Sequence, residues 1–363
     1  MSETDYRRYD YNFHGLLRAR IQVSMHERGL TKLEDYYDAY RISDLGCEPD
    51  VTLKIGAFKP ARPIGSVSFD RKTVVGEGYL QYHDSDGTSS WIVEITENGT
   101  GKVIIRFFHK GGGIDRILAP NMFPIAFSMR PMVETRLSFL GWGATHGLGL
   151  KSASGEGILL VAPGGFGKTT IAMRAMLEGG YRYLGDERVL VGDKRMKSLF
   201  TQIGLFRWKM RNLGQEWIQG PARYPSFLKM IWQLRSPSMH ADTDFIGEYG
   251  AESATLDRVV ILKRGNTTSA RLEEISLDEA VSSIVWNSYA ELISGYVYMT
   301  SKSKPSMLKP LASSEMVGEE SLLGGHLRRL ENILLHSFPS RCHALIVPNS
   351  DNDWRRILSA LTN

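Results

Sequence analysis

Only two cysteines, Cys47 and Cys342, occur in 363 residues, too few for a disulfide framework or a cysteine-built metal site, and a reducing interior is the expected setting. No apolar run approaches the ~20 residues of a bilayer-spanning helix, so no membrane partner is expected. The N-terminal residues Met1 to Arg8 are polar with no apolar stretch behind them, which predicts no secretory signal and a cytoplasmic protein. Charge of one sign is also scarce: 44 basic against 40 acidic residues leave +4, too slight to call for nucleic acid or a membrane surface. No repeat or low-complexity tract stands out. With 42% hydrophobic and 23% charged residues, the composition is that of a globular chain long enough for two domains.

Against that plain background one segment carries chemistry. The apolar run Ile158 to Val161 predicts a strand. It is followed by Ala162, Pro163, Gly164, Gly165, Phe166, Gly167, Lys168, Thr169 and Thr170, and then by helical spacing from Ile171. Strand, glycine-rich loop, Gly-Lys-Thr and helix in this order read as a phosphate-binding loop. The glycines allow backbone N–H groups to turn toward a triphosphate, Lys168 neutralises its β/γ oxygens, and the Thr169 hydroxyl is placed for Mg²⁺. Ala162 stands where such loops usually begin with glycine.

Around this loop the chain divides near residue 130. Residues 1 to about 45 carry Leu16, Leu17, Ile21 and Met25 at helical spacing, predicting one or two helices. From Val51 the period becomes two, with strands over Val51–Ile55, Val67–Phe69 and Tyr79–Gln81. A hairpin over Trp91–Glu97 and Lys102–Phe108 is expected to turn at Asn98-Gly99 through positive φ angles, which gives an antiparallel, β-rich region. Gly111 to Gly113 lacks a following Lys-Ser/Thr and reads as a connection. Met132 to Leu140 predicts a helix. Beyond the loop, a helix ends at Gly179-Gly180, and a strand from Tyr181 delivers Gly185, Asp186 and Glu187 before continuing through Val189–Val191. Arg258–Lys263 and Ala344–Pro348 read as core strands, and Ser276–Trp286 and Glu320–Leu335 as helices, the alternation of an α/β domain.

Phosphoryl transfer needs a held triphosphate, a metal to screen it and an acceptor hydroxyl relieved of its proton. Asp186 and Glu187, at the end of the strand after the loop helix, are the carboxylates placed for metal binding and proton acceptance. The alternatives are a turn residue for Asp186 and a solvated charge for Glu187. His146, just before the strand that enters the loop region, reads on its own either as a structural histidine or as a catalytic or phosphate-contacting one. From Arg207 to Arg235, basic residues alternate with Trp208, Trp217, Tyr224, Phe227 and Trp232. This reads as amphipathic elements with core aromatics, as an acceptor or nucleotide surface, or as a nucleic-acid contact.

The sequence His146-Gly147, Gly155 to Val161, the loop through Lys168-Thr169, and Gly180, Arg182, Gly185, Asp186 and Glu187 resembles the kinase domain of the HPr kinase/phosphorylase-related family. The likeness spans about residues 131 to 191. It implies ATP and Mg²⁺, the latter on Thr169 and Asp186. It also implies His146 near the transferred phosphate, Asp186 as catalytic carboxylate and Glu187 at a second acidic position where the family has Asp. Its fold would be an α/β P-loop kinase domain similar to ATP-dependent phosphoenolpyruvate carboxykinase over 131–363, preceded by a β-rich α+β N-terminal domain over 1–130. Ring-forming members of that family imply self-association. The family's C-terminal glycine-rich signature is not found, so the acceptor is expected to be another protein, peptide or small molecule with a hydroxyl, with no reverse phosphorolysis. The alternative is a non-catalytic, ATP-gated binding protein. A decarboxylating carboxykinase fits worse, because the chain is short for one and lacks a second-metal cluster.

Overall fold

The computed structural model describes residues 6–27, 34–68, 71–85, 89–111, 125–163, 166–201, 243–294, 325–339 and 341–348, with positions 357 and 359. Over these the chain is mixed α/β, with three sheets and few helices. It divides into two compact units, one of residues 1–34, 40–144 and 285–333, the other of 35–39, 145–284 and 334–363.

The first unit is built on a nine-stranded sheet. In chain order its strands are β1 (Tyr6–Phe13), β2 (Leu17–Ser24), β3 (Arg41–Ile42), β4 (Val51–Ile55), β5 (Val67–Ser68), β6 (Thr73–Gly76), β7 (Tyr79–Ser85), β8 (Ser89–Glu97) and β9 (Val103–Gly111). The order across the sheet is β3-β1-β2-β4-β9-β8-β7-β6-β5. The helix expected near Leu16 to Met25 is instead the hairpin of β1 and β2, pairing Tyr6 with Ser24 through Phe13 with Leu17. The reason is a period of two that includes a small residue: Leu17, Ala19, Ile21 and Val23 are all fully buried, whereas Met25 is exposed. The sheet is also not purely antiparallel, since β2 with β4 and β4 with β9 run parallel. The expected β8–β9 hairpin forms, but Asn98-Gly99 is not its left-handed turn. Glu97 pairs with Val103, and within the longer loop the positive φ belongs to Gly101. Asn98 organises that loop through Oδ1, which accepts from the backbone N–H groups of Thr100 and Lys102.

Helix α1 (Arg130–Phe139) follows a π turn over Ile125–Met129 and packs against β2. Its buried side includes Met132, Val133 and Leu137, and Pro131 stands in its first turn, where no N–H is missed.

The second unit holds the predicted loop in a six-stranded sheet. Its strands are β11 (Gly147–Lys151), β12 (Gly157–Val161), β13 (Arg182–Gly185), β17 (Arg258–Gly265), β18 (Arg271–Ile275) and β19 (Cys342–Pro348), in the order β13-β11-β12-β17-β19-β18. Strand β12 is buried along its whole length, with antiparallel β11 on one side and parallel β17 on the other. A smaller sheet, ordered β10-β14-β15-β16, contains β10 (Gly143–Thr145), β14 (Val189–Gly192), β15 (Arg195–Ser198) and β16 (Ser253–Thr255). The single strand expected from Tyr181 to Val191 is thus two strands in two sheets, broken at Asp186–Arg188. Helices α2 (Lys168–Gly179), α3 (Thr243–Tyr249), α4 (Leu277–Ser294) and α5 (His326–Ser337), with a 3₁₀ segment over Glu34–Tyr40, complete the described elements. No helix among the described residues is long and apolar enough to cross a membrane.

Candidate functional site

Strand register gathers His146, the loop start and Asp186 at the same end of strands β11, β12 and β13. Gly147 at the start of β11 pairs with Val161 at the end of β12, and Gly149 pairs with Gly185 at the end of β13. Because β11 runs antiparallel to both neighbours, His146, the loop start at Ala162, and Asp186 leave the sheet on the same side.

The loop leads directly into α2. Gly167 is the residue before the helix, in the left-handed region with φ +89°, and no side chain caps the helix start. A residue with a Cβ is strained there, so the Gly-Lys order is a backbone requirement as much as a chemical one. Lys168 is buried, and its Nζ donates to the carbonyl of Ala162 and, at 3.2 Å, to that of Pro163. The ammonium is therefore folded over the first residues of the loop. Phe166, Gly167, Thr169 and Thr170 are half-buried around it; Gly164 and Gly165 lie outside the described residues.

The acidic turn comes to meet this helix. Gly185 has φ +152°, and a Cβ built on it would sit 2.2 Å from the Arg188 carbonyl oxygen. Glycine is what lets the chain leave β13 so sharply and re-enter as β14. The turn holds Asp186 with both oxygens engaged: Oδ2 accepts from the Thr169 hydroxyl at 2.6 Å, and Oδ1 accepts from the Tyr183 hydroxyl at 3.2 Å. Tyr183 is buried and stacks on Phe200 with ring centroids 5.7 Å apart. Burial, and then the charge of Asp186, push its phenol well above the ordinary tyrosine value, which keeps it a donor. Glu187 is engaged elsewhere, its Oε2 accepting from the Thr201 hydroxyl at 3.4 Å.

His146 joins the same turn through Arg188. Both side chains are buried, and Arg188 Nη1 lies 2.8 Å from His146 Nδ1 while donating, also at 2.8 Å, to the Glu187 carbonyl. Thr145 fastens the preceding residue, its hydroxyl donating to the Val189 carbonyl at 3.1 Å. Tyr183 and Arg188 are the members that the motif reading does not supply. The only signal for them is adjacency, Arg188 directly following the acidic pair and Tyr183 standing three residues before Asp186.

Among the described residues no group of three His, Cys, Asp or Glu side chains converges in a manner that could hold a metal. What the site offers a cation is one hydroxyl and one carboxylate, Thr169 and Asp186, within hydrogen-bond distance of each other. Such a two-oxygen donor set fits Mg²⁺, which takes few protein ligands and fills its octahedron with water and substrate phosphates. The basic and aromatic stretch 207–235 lies outside the described residues. No protein-family model matches the chain, and no curated protein matches it.

Proposed function

We propose that this chain is an ATP- and Mg²⁺-dependent kinase of the HPr-kinase-like P-loop class, acting in the cytoplasm. It would transfer the γ-phosphate to a hydroxyl of a protein, peptide or small-molecule acceptor. The observation that carries the reading is the 2.6 Å contact between the Thr169 hydroxyl and Asp186 Oδ2, which brings the threonine of the Gly-Lys-Thr motif to the carboxylate after β13. The mixed sheet supports the carboxykinase-like core, since the loop strand β12 has an antiparallel neighbour on one side.

In this reading the loop N–H groups and Lys168 hold the β/γ phosphates, and the left-handed Gly167 aims the start of α2 at them. Thr169 and Asp186 would hold Mg²⁺, which when bound screens phosphate charge. Asp186 Oδ1, which accepts from the Tyr183 hydroxyl, would take the proton of the incoming hydroxyl. A pure ATP sensor requires the loop but no such acceptor.

Lys168→Ala tests the nucleotide site. Calorimetry with Mg-ATP is expected to show binding weakened at least tenfold, because the buried cation is the loop's strongest contact to polyphosphate. Unchanged affinity in that variant overturns the assignment.

A further inference from the structure

We propose that Arg188 fixes His146 as a neutral imidazole with its proton on Nε2, so that His146 serves the site as a hydrogen-bond donor and not as a proton acceptor. The argument begins with the chemistry of the pair. A guanidinium has only donors, so at 2.8 Å from Arg188 Nη1 the ring nitrogen Nδ1 must present its lone pair. The remaining proton of a neutral imidazole is then on Nε2. A second proton, on Nδ1, would break this hydrogen bond and set an imidazolium against a buried guanidinium.

The arrangement is anchored at both ends. Arg188 cannot easily swing away, because the same Nη1 also donates to the Glu187 carbonyl and the residue sits at the entry to β14. His146 is held in sequence between Thr145, fastened to Val189, and Gly147, paired with Val161. One residue beyond that pair on the facing strand is Ala162, whose carbonyl receives Lys168. The histidine thus stands beside the start of the loop with its accepting nitrogen already used. Any hydrogen bond the neutral ring makes through Nε2 is then a donation. Arg188 is accordingly a positioning residue, acting on the nucleotide only through His146. The tautomer follows from the hydrogen bond alone, whereas the donor role toward a phosphate rests on the kinase reading.

Long-range ¹H–¹⁵N spectra of the full chain with labelled histidine test this, with the His146 signals identified by their loss in His146→Gln. The expected wild-type pattern is a protonated Nε2 and a protonless Nδ1. A proton on Nδ1, in either a neutral or a doubly protonated ring, overturns the proposal. Arg188→Met is expected to release the lock, giving a mixed tautomer pattern, and to lower kcat about 10–100-fold with the KM for ATP nearly unchanged. Arg188→Lys, which keeps a donor-only cation, should restore part of both. An unchanged His146 pattern in Arg188→Met removes the role of Arg188. Mg-ATP is expected to shift the Nε2 signal; binding by calorimetry without that shift overturns the donor role. No binding at all overturns the kinase reading and leaves the tautomer assignment standing.

Discussion

Asp186 shows how much a single side chain depends on its neighbours. One oxygen meets Thr169 and the other Tyr183, so the carboxylate is fixed in plane before any ligand is considered. Tyr183→Phe removes one donor while keeping the ring and its stacking on Phe200. Hydrogen bonds to charged groups contribute ~1.5–3 kcal/mol, and this longer one belongs at the low end. The expected outcome in urea unfolding is a loss of about 1.5 kcal/mol, together with a lower transfer rate at nearly unchanged ATP affinity. A variant as stable and as fast as wild type contradicts the positioning role. That Thr169 and Asp186 come together was legible in the sequence because a Gly-Lys-Thr loop after one strand and an acidic pair after the next fix these residues at strand ends. Tyr183 and Arg188 were not, since a buried hydroxyl and a buried guanidinium in strand-like surroundings look like a core ring and a surface cation until their partners are known.

Elements were legible where local pattern and backbone demand agreed, and misread where they did not. The strands β12, β17 and β19 are built on apolar runs and β4 on a period of two, and each forms as expected. The β1–β2 hairpin was misread because Leu16, Leu17, Ile21 and Met25 happen to fit a helix, while the true buried set runs through Ala19, too small to weigh in a hydrophobic count. The break between β13 and β14 went unseen for a different reason: strand-like residues stand on both sides of the charged Asp186–Arg188, and it is the backbone of Gly185 that turns the chain there. Gly185→Ala tests that explanation. Its Cβ would collide with the Arg188 carbonyl, and the collision is with backbone. A destabilisation of at least ~2 kcal/mol is expected, with loss of Mg-ATP turnover as the Asp186–Arg188 turn moves. Wild-type stability in this variant would mean that the turn is not built on that glycine.

At the scale of the whole molecule, a buried ion-paired carboxylate contributes to the response to pH. In the first unit Asp10 is buried beneath Arg8 and Arg20, each 2.7 Å from a carboxylate oxygen. Burial alone would raise its carboxyl; the hydrogen bonds from Arg8 and Arg20 outweigh that and leave it below the ordinary 3.8. A depressed folded-state value stabilises above the unfolded value and is lost as pH falls through the folded one. Asp10→Asn is therefore expected to lower the urea midpoint most near neutral pH, with the gap to wild type narrowing below about pH 4. A gap independent of pH contradicts the linkage. The kinase assignment itself is tested most directly by Asp186→Asn, measured for Mg-ATP affinity and for phosphate transfer, to acceptor or to water, beside the wild type. The account predicts measurable ATP binding in the variant, since the loop and Lys168 hold the phosphates, with transfer slowed ~10²–10⁴-fold. Transfer at the wild-type rate by Asp186→Asn, or a wild type that binds Mg-ATP and turns over none of it, would contradict it.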